Sequence, residues 1–258
     1  MVKKTDTDKL SELLASFNPD LLNDDIPQYF NDDSIRVERL LLDLVRPDPI
    51  QPRRVLPEQV HHAFHENRLT PSQALREIVQ IAQVAARQRG RPFSNLLELL
   101  PDPERDDDID IKLTPEEEFL RELVNLAVTI RDDGQVNPIT VIDVTEGVTR
   151  LYRIETGERR YWSAWLLRDF LPDHEGDGMI DCIVVPADRS SVFRQAKENT
   201  ARKSLSAIAL ARQAALLLLT VNDYEIPTYA VNNDFYRQAL DLRIPRDAAS
   251  QIYSAMGG

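Results

Sequence analysis

Cysteine is almost absent from this chain. Cys182 is the only one among 258 residues, so no internal disulfide forms. Four histidines, three of them bunched at His61, His62 and His65, complete a poor stock of soft ligands, and no cysteine-rich zinc site can be assembled. Long apolar runs are missing as well. The longest, AALLLLTV around Leu217, falls far short of the roughly 20 residues that cross a bilayer. Met1 leads into KKTDTDK rather than an apolar stretch, so no secretory leader is read and the expected compartment is the cytoplasm. Positive charge is the minority sign: 31 Lys and Arg against 43 Asp and Glu leave a net charge of −12. Such a chain binds nucleic acid poorly unless its basic residues are concentrated in one place.

What is present is ordinary globular material, 42% hydrophobic and 29% charged, enough for one large domain or two small ones. Leu10, Leu13, Leu14 and Phe17 have helical spacing, and an acidic, proline-punctuated linker follows. The run SIRVERLLLDL reads as a strand, and Pro47, Pro49 and Pro52 keep RPDPIQPRR extended. Thr70-Pro71-Ser72-Gln73 opens a helix with Leu75, Ile78, Val79 and Val84 as its buried stripe, before the acidic loop PDPERDDDID. Thr114-Pro115-Glu116-Glu117 opens another, with Phe119, Leu123, Leu126 and Ile130 on one face and Gly134 as a left-handed stop. PITVIDV and VTRLYRIET form a hairpin across a TEG turn, and MIDCIVVP is a further strand. Helices are expected over ERRYWSAWLLRDF, over residues 190–199 and 206–221, and in FYRQALDL and DAASQIYSAM. Trp162 and Trp165 fall at core spacing beside Leu166, and the three bunched histidines read as solvated helix residues. The expected fold class is α+β: a small mixed sheet with packed helices, then a helical C-terminal portion.

Three clusters bear on chemistry, and each has an ordinary explanation beside the functional one. Gln51-Pro52-Arg53-Arg54 is a solvated loop or a phosphate contact. Gly157-Glu158-Arg159-Arg160 stands where a strand meets a helix. The first N–H groups of a helix lack internal partners and carry partial positive charge, so two arginines there oppose the helix dipole. A bound phosphate chain explains them, and so do surface ion pairs with Glu158 as offset. Glu198-Asn199-Thr200-Ala201-Arg202 is either a plain helix end or a pair of oxygen ligands for a hard cation with an arginine near a phosphate.

Taken together and in this order, the chain resembles the ParB family of chromosome and plasmid partition proteins over about residues 35–221. RPDPIQPRR matches the family's x-P-x-Q-P-R segment, and IRDDGQVNPITV its glycine turn into a strand. IETGERRYWSAWLL matches its G-E-R-R box, and FRQAKENTARKSLSAIALA its E-N-x-x-R-x-x-L-S box. The resemblance implies a ParB/sulfiredoxin-like domain that binds CTP with Mg2+ and acts as a nucleotide-dependent clamp on DNA, with slow CTP hydrolysis. It implies that Gly157, Glu158, Arg159 and Arg160 cradle the triphosphate, with Arg202 in support. Glu198 and Asn199 hold the metal, and Gln51 and Arg53 approach the terminal phosphates, Gln51 positioning the attacking water. Gly134, Gln135, Asn137 and Pro138 wall the base and sugar.

The chain departs from that pattern in three respects. Residues 57–113 intervene between the first two boxes, Asn137 stands where glutamine is usual, and IPRDAASQIYSAMGG supplies only the start of a helix-turn-helix. The expected organisation is an N-terminal helix and linker over 1–34, a nucleotide-binding domain over 35–204 and a helical portion over 205–258. The resemblance further implies DNA contact through that C-terminal element, a ParA-type ATPase partner, a homodimer, and a nucleoid- or plasmid-associated cytoplasmic location without membrane contact. The rivals are a non-hydrolysing nucleotide-regulated adaptor and a nucleotide-dependent kinase of the same fold. Sulfiredoxin is disfavoured because its cysteine belongs where Glu158 stands.

Overall fold

Two β-rich runs far apart in the chain meet side by side. Strand β3 (Ile139–Asp143) is antiparallel to β4 (Tyr152–Thr156), and on its other edge it runs parallel to β5 (Met179–Val185), with Ile139 opposite Cys182. In β5 alternate residues Ile180, Cys182 and Val184 are buried, the period-2 pattern of a half-buried strand. Strands β1 (Arg36–Leu41) and β2 (Val45–Arg46) complete a five-stranded sheet in the order β1-β5-β3-β4-β2, with β2 parallel to β4. The run read as one strand through Leu44 breaks instead into a single 3-10 turn, Leu42–Leu44, where the Leu42 amide donates to the Gly178 carbonyl.

This computed structural model describes residues 36–101, 112–171, 177–187, 190–202 and 205–257. The chain divides into two units, Met1–Arg36 and Val37–Gly258. The expected N-terminal helix and linker and the acidic loop at 102–111 lie outside the described residues.

Eight α-helices are found among the described residues: α1 (Glu58–His65), α2 (Pro71–Gln88), α3 (Pro115–Asp133), α4 (Glu158–Phe170), α5 (Val192–Arg202), α6 (Ala207–Val221), α7 (Asn233–Ala239) and α8 (Ala249–Ala255). The fold class is α+β. Helices α2 and α3 each begin with a complete capping box, Thr70 with Gln73 and Thr114 with Glu117, which satisfies two otherwise orphaned amides at each start. Both buried stripes overlap the expected ones: Leu75, Ile78 and Leu123 are buried, and Val79, Phe119 and Ile130 pack against the same core. On α2 the stripe is Ala74, Leu75, Ile78, Ala82 and Ala86, and Val84 is half exposed. On α3 it is Leu120, Leu123, Val124 and Ala127. On α2 three alanines let the helix approach its neighbours closely, so part of its core face is set by small residues that a count of bulky side chains misses. Gly134 has the expected positive φ of 78°, but its ψ of 178° sends the chain out extended toward β3 rather than through a left-handed stop.

The main core joins the sheet to α1–α4 and is centred on Trp162, Tyr161, Leu166, Ile154 and Leu123. Trp162 and Trp165 are core residues, as their spacing predicts. Residues 57–101 belong to this same core through Val60, Phe64, Leu75, Ile78 and Leu96. Beyond it, α6 is apolar on two sides. Leu216 and Leu219 pack with Ile50, Val231 and Tyr236, while Leu217 and Leu218 pack with Ala196, Ile252 and Ala255. Among the described residues no helix is long and apolar enough to cross a membrane.

Candidate functional site

The strand-to-helix junction at Gly157 fixes the geometry of the site. Gly157 has φ 96° and ψ 19°, the left-handed region, and caps α4 without a side chain. A Cβ there would lie 2.6 Å from Ile139 Cγ2 and 2.9 Å from its Cβ. Glycine is therefore demanded from inside the fold, by its torsion and by the approach of β3, whatever binds outside. The Gly157 carbonyl accepts from the Arg160 and Tyr161 amides, and the Glu158 and Arg159 amides ahead of them have no intrahelical carbonyl to bond.

The next three side chains diverge. Glu158 turns inward. It is buried and its Oε1 accepts from Trp162 Nε1 at 3.0 Å. Burial raises its pKa to about 7, against the opposing pull of the Trp162 hydrogen bond and of Arg54, with the nearby Asp48 carboxylate adding to the rise. Its carboxylate is thus a support beneath the helix start. Arg159 and Arg160 line the cleft outside, and Arg159 Nη2 meets Glu122 Oε2 at 2.6 Å.

The proline-rich segment is brought beside them. Asp48 is buried and organises the turn: its Oδ1 accepts from the Ile50 amide and its carbonyl from the Gln51 amide. Gln51 is buried, and its Nε2 donates to the Glu155 carbonyl at 2.7 Å, tying the segment to β4. Arg53 stays exposed on the cleft wall. Arg54 turns away, to Glu58 and the Val231 carbonyl.

Helix α5 supplies the third side. Asn199 lines the cleft, and its Nδ2 is buried with no hydrogen-bond partner. Thr200 is fixed from behind, donating to the Ala196 carbonyl at 2.9 Å and accepting from Gln213 Nε2 at 3.1 Å. The helix runs on through Arg202 rather than ending at Asn199. The side chains of Glu198 and Arg202 lie outside what the structure describes.

Gln51, Arg53, Gly157, Glu158, Arg159, Arg160 and Asn199 thus line one cleft of about 460 Å³, a volume in the range of about 300–1,000 Å³ that small-molecule sites occupy. Three arginines, a helix N-terminus and an unpaired buried amide suit an oxyanion ligand. The loop before β3 is placed elsewhere. Gly134 and Gln135 line a second cleft of about 250 Å³ with Arg39, Arg168 and Asp181. The Gln135 side chain is spent holding β5: Nε2 donates to the Asp181 carbonyl at 2.8 Å and Oε1 accepts from the Asp181 amide at 3.0 Å. Asn137 and Pro138 line neither cleft.

Sequence reasoning missed the opposite wall of the first cleft, formed by Glu122, Asn125, Leu126 and Thr129 of α3. The polar residues among these recur at helical spacing, the pattern of any solvated face. The histidines are also not the solvated residues expected. His61 is buried, with Nε2 3.1 Å from the Pro49 carbonyl, and burial, helped by His65 and Arg54, lowers its pKa to about 2. Burial likewise lowers His65 to about 4. Among the described residues no group of three or more His, Cys, Asp or Glu could hold a metal ion.

The Glu158 environment yields a pH dependence. A carboxyl whose folded pKa of about 7 exceeds its ordinary 4.5 takes up a proton on folding. Its stabilising contribution is complete below pH 4.5 and is lost as pH rises through 7. Glu158→Gln keeps an oxygen for Trp162 and has no charge to bury, so the loss of stability between pH 5 and pH 8 should be smaller in the variant than in the wild type. Urea denaturation at both pH values measures this, and equal losses would place the Glu158 carboxylate in a solvated site.

No family model and no curated protein matches the chain. Among solved structures it is similar to the C-terminally truncated chromosome-partitioning protein ParB from Caulobacter crescentus complexed with CTP-γ-S, at 16% identity over 85% of either chain and with a TM-score of 0.33. A likeness of that size leaves fold and ligand to be argued from this chain's own residues.

Proposed function

We propose that this chain is a ParB-like DNA partition protein whose cleft binds CTP with magnesium, using the nucleotide as a switch and hydrolysing it slowly. One observation carries the reading: motif residues scattered along the sequence, Gln51 and Arg53, Gly157 to Arg160, and Asn199, line a single cleft. Arg159 and Arg160 hold the phosphates from the start of α4, joined by the helix's first N–H groups and by Arg53. Arg202 adds support from the end of α5.

Magnesium fits as a companion of the phosphates rather than as a resident of a protein cage. Such an ion takes one or two protein oxygens and completes its shell with phosphate and water. Glu198 and Asn199 are the residues that would hold it, and when bound it neutralises phosphate charge. DNA, a ParA-type ATPase and a second copy of the chain are the partners that belong to this reading.

Gln51 orients the attacking water. Gln51→Ala should slow phosphate release severalfold while leaving CTP affinity nearly unchanged. The lost bond leaves the Glu155 carbonyl without that donor and should cost about 1–3 kcal/mol, less than the roughly 5–15 kcal/mol that holds an ordinary domain folded. Phosphate release and calorimetry on the same samples separate the two effects, and an equal fall in both would make Gln51 a structural residue. A non-hydrolysing switch is the second reading, favoured by the commitment of the Gln51 amide nitrogen to β4. Absence of phosphate release from the wild type, with and without DNA, selects it.

A further inference from the structure

The wall of the cleft that faces α4 is made by α3, and nothing in the motif set accounts for it. Glu122, Asn125 and Thr129 are exposed residues at helical spacing, and with Leu126 they line the same cleft as Arg159 and Arg160. We infer that this stripe is the wall against which the sugar and base of a bound nucleotide lie, with Asn125 and Thr129 selecting the base. The inference rests on the reading of the cleft as a nucleotide site.

Geometry sets the direction. Glu122 Oε2 lies 2.6 Å from Arg159 Nη2, which marks the phosphate end of α3. At a rise of about 1.5 Å per residue, Thr129 stands about 10 Å farther along the helix, room for a ribose and a base beyond phosphates held at Arg159. Leu126 gives that stretch an apolar patch for a ring face.

Chemistry sets the choice. The Thr129 hydroxyl donates its hydrogen to the Asn125 carbonyl at 3.0 Å, so its oxygen faces a ligand only as an acceptor. The Asn125 amide offers both a donor and an acceptor. An acceptor beside a donor–acceptor pair matches a base edge carrying an exocyclic amine next to a ring nitrogen acceptor, an edge that cytosine and adenine share and uracil lacks. Uracil presents an oxygen where the amine would be and meets the Thr129 oxygen acceptor to acceptor. The loop before β3 does not compete for this role, because the Gln135 amide is held by β5, Gly134 lines the other cleft and Asn137 lines neither.

Calorimetry on the full chain with magnesium decides it, using CTP, UTP, ATP, GTP and inorganic tripolyphosphate as probes against wild type, Asn125→Ala, Thr129→Val and Asn137→Ala. The α3 positions are exposed, so their variants fold. The inference expects Asn125→Ala and Thr129→Val to lower CTP affinity by about fivefold each, the yield of one neutral hydrogen bond, and to bring the CTP-to-UTP ratio toward one. Tripolyphosphate affinity stays at the wild-type value, which separates base reading from phosphate holding. If the wild type prefers CTP and the ratio survives in both α3 variants, or collapses only in Asn137→Ala, the inference is overturned while the nucleotide reading stands. If the wild type binds no nucleotide, both fall together.

Discussion

Replacing Arg159 or Arg160 by alanine should lower the affinity for CTP by tenfold or more. Each guanidinium offers charge-assisted hydrogen bonds to phosphate oxygens, worth roughly 1.5–3 kcal/mol apiece, and every 1.4 kcal/mol is about a factor of ten in affinity. The Glu122 partner of Arg159 does not offset this. Both side chains of that pair are well exposed, 37% and 51%, and such pairs are worth about 0.2–1 kcal/mol. A bound triphosphate should therefore displace Glu122 from the guanidinium. Arg159→Lys should fall between wild type and Arg159→Ala, since lysine keeps the charge and loses the planar fork. Isothermal calorimetry gives the numbers, and wild-type affinity in both alanine variants would remove the phosphates from the start of α4.

Gly157→Ala should destabilise the fold by about 2–5 kcal/mol. An L-residue in the left-handed region costs about 1–2 kcal/mol, and overpacking at a site already full costs about 1–3 more. The added methyl would lie 2.6 Å from Ile139 Cγ2 and 3.2 Å from its Cα, so relief requires moving strand β3 itself and not the tip of a flexible side chain. Because the same glycine aims the first turn of α4, CTP affinity should fall in whatever fraction remains folded. Urea denaturation measures the stability. A shift of less than about 0.5 kcal/mol, the size of an ordinary surface substitution, would mean that the junction accepts a side chain and that its glycine serves the ligand alone.

The parts of this molecule that were legible in its sequence are those where one residue type has one physical reason to be there. Thr114 followed three residues later by Glu117 can do little but cap a helix, and it does. Alternation in MIDCIVV and the apolar spacing of Trp162, Trp165 and Leu166 likewise place themselves in the sheet and the core. The arginines after Gly157 stood out because they oppose the helix dipole, and they line the cleft. Glu158, adjacent in sequence but opposite in charge, goes the other way because Trp162 one turn on offers its indole N–H from beneath. The α3 wall was hidden because Asn125 and Thr129 look the same whether they face bulk water or a cleft. Only the position of α4 across from them tells the two apart. His61 was misread for a related reason. Its buried ring sits against the Pro49 carbonyl from the proline-rich segment, a contact that helical spacing does not reveal. Gln135 sat in a turn that resembled a base-binding loop, yet its bonding to Asp181 makes it a clamp on the edge of β5.

The most direct test is a calorimetric titration of the full chain with CTP, ATP, GTP and UTP, each with and without magnesium. The account predicts saturable binding of CTP that strengthens with magnesium, with ATP, GTP and UTP at least tenfold weaker. Binding of none of the four, or binding of all four with equal affinity whether or not magnesium is present, would contradict it.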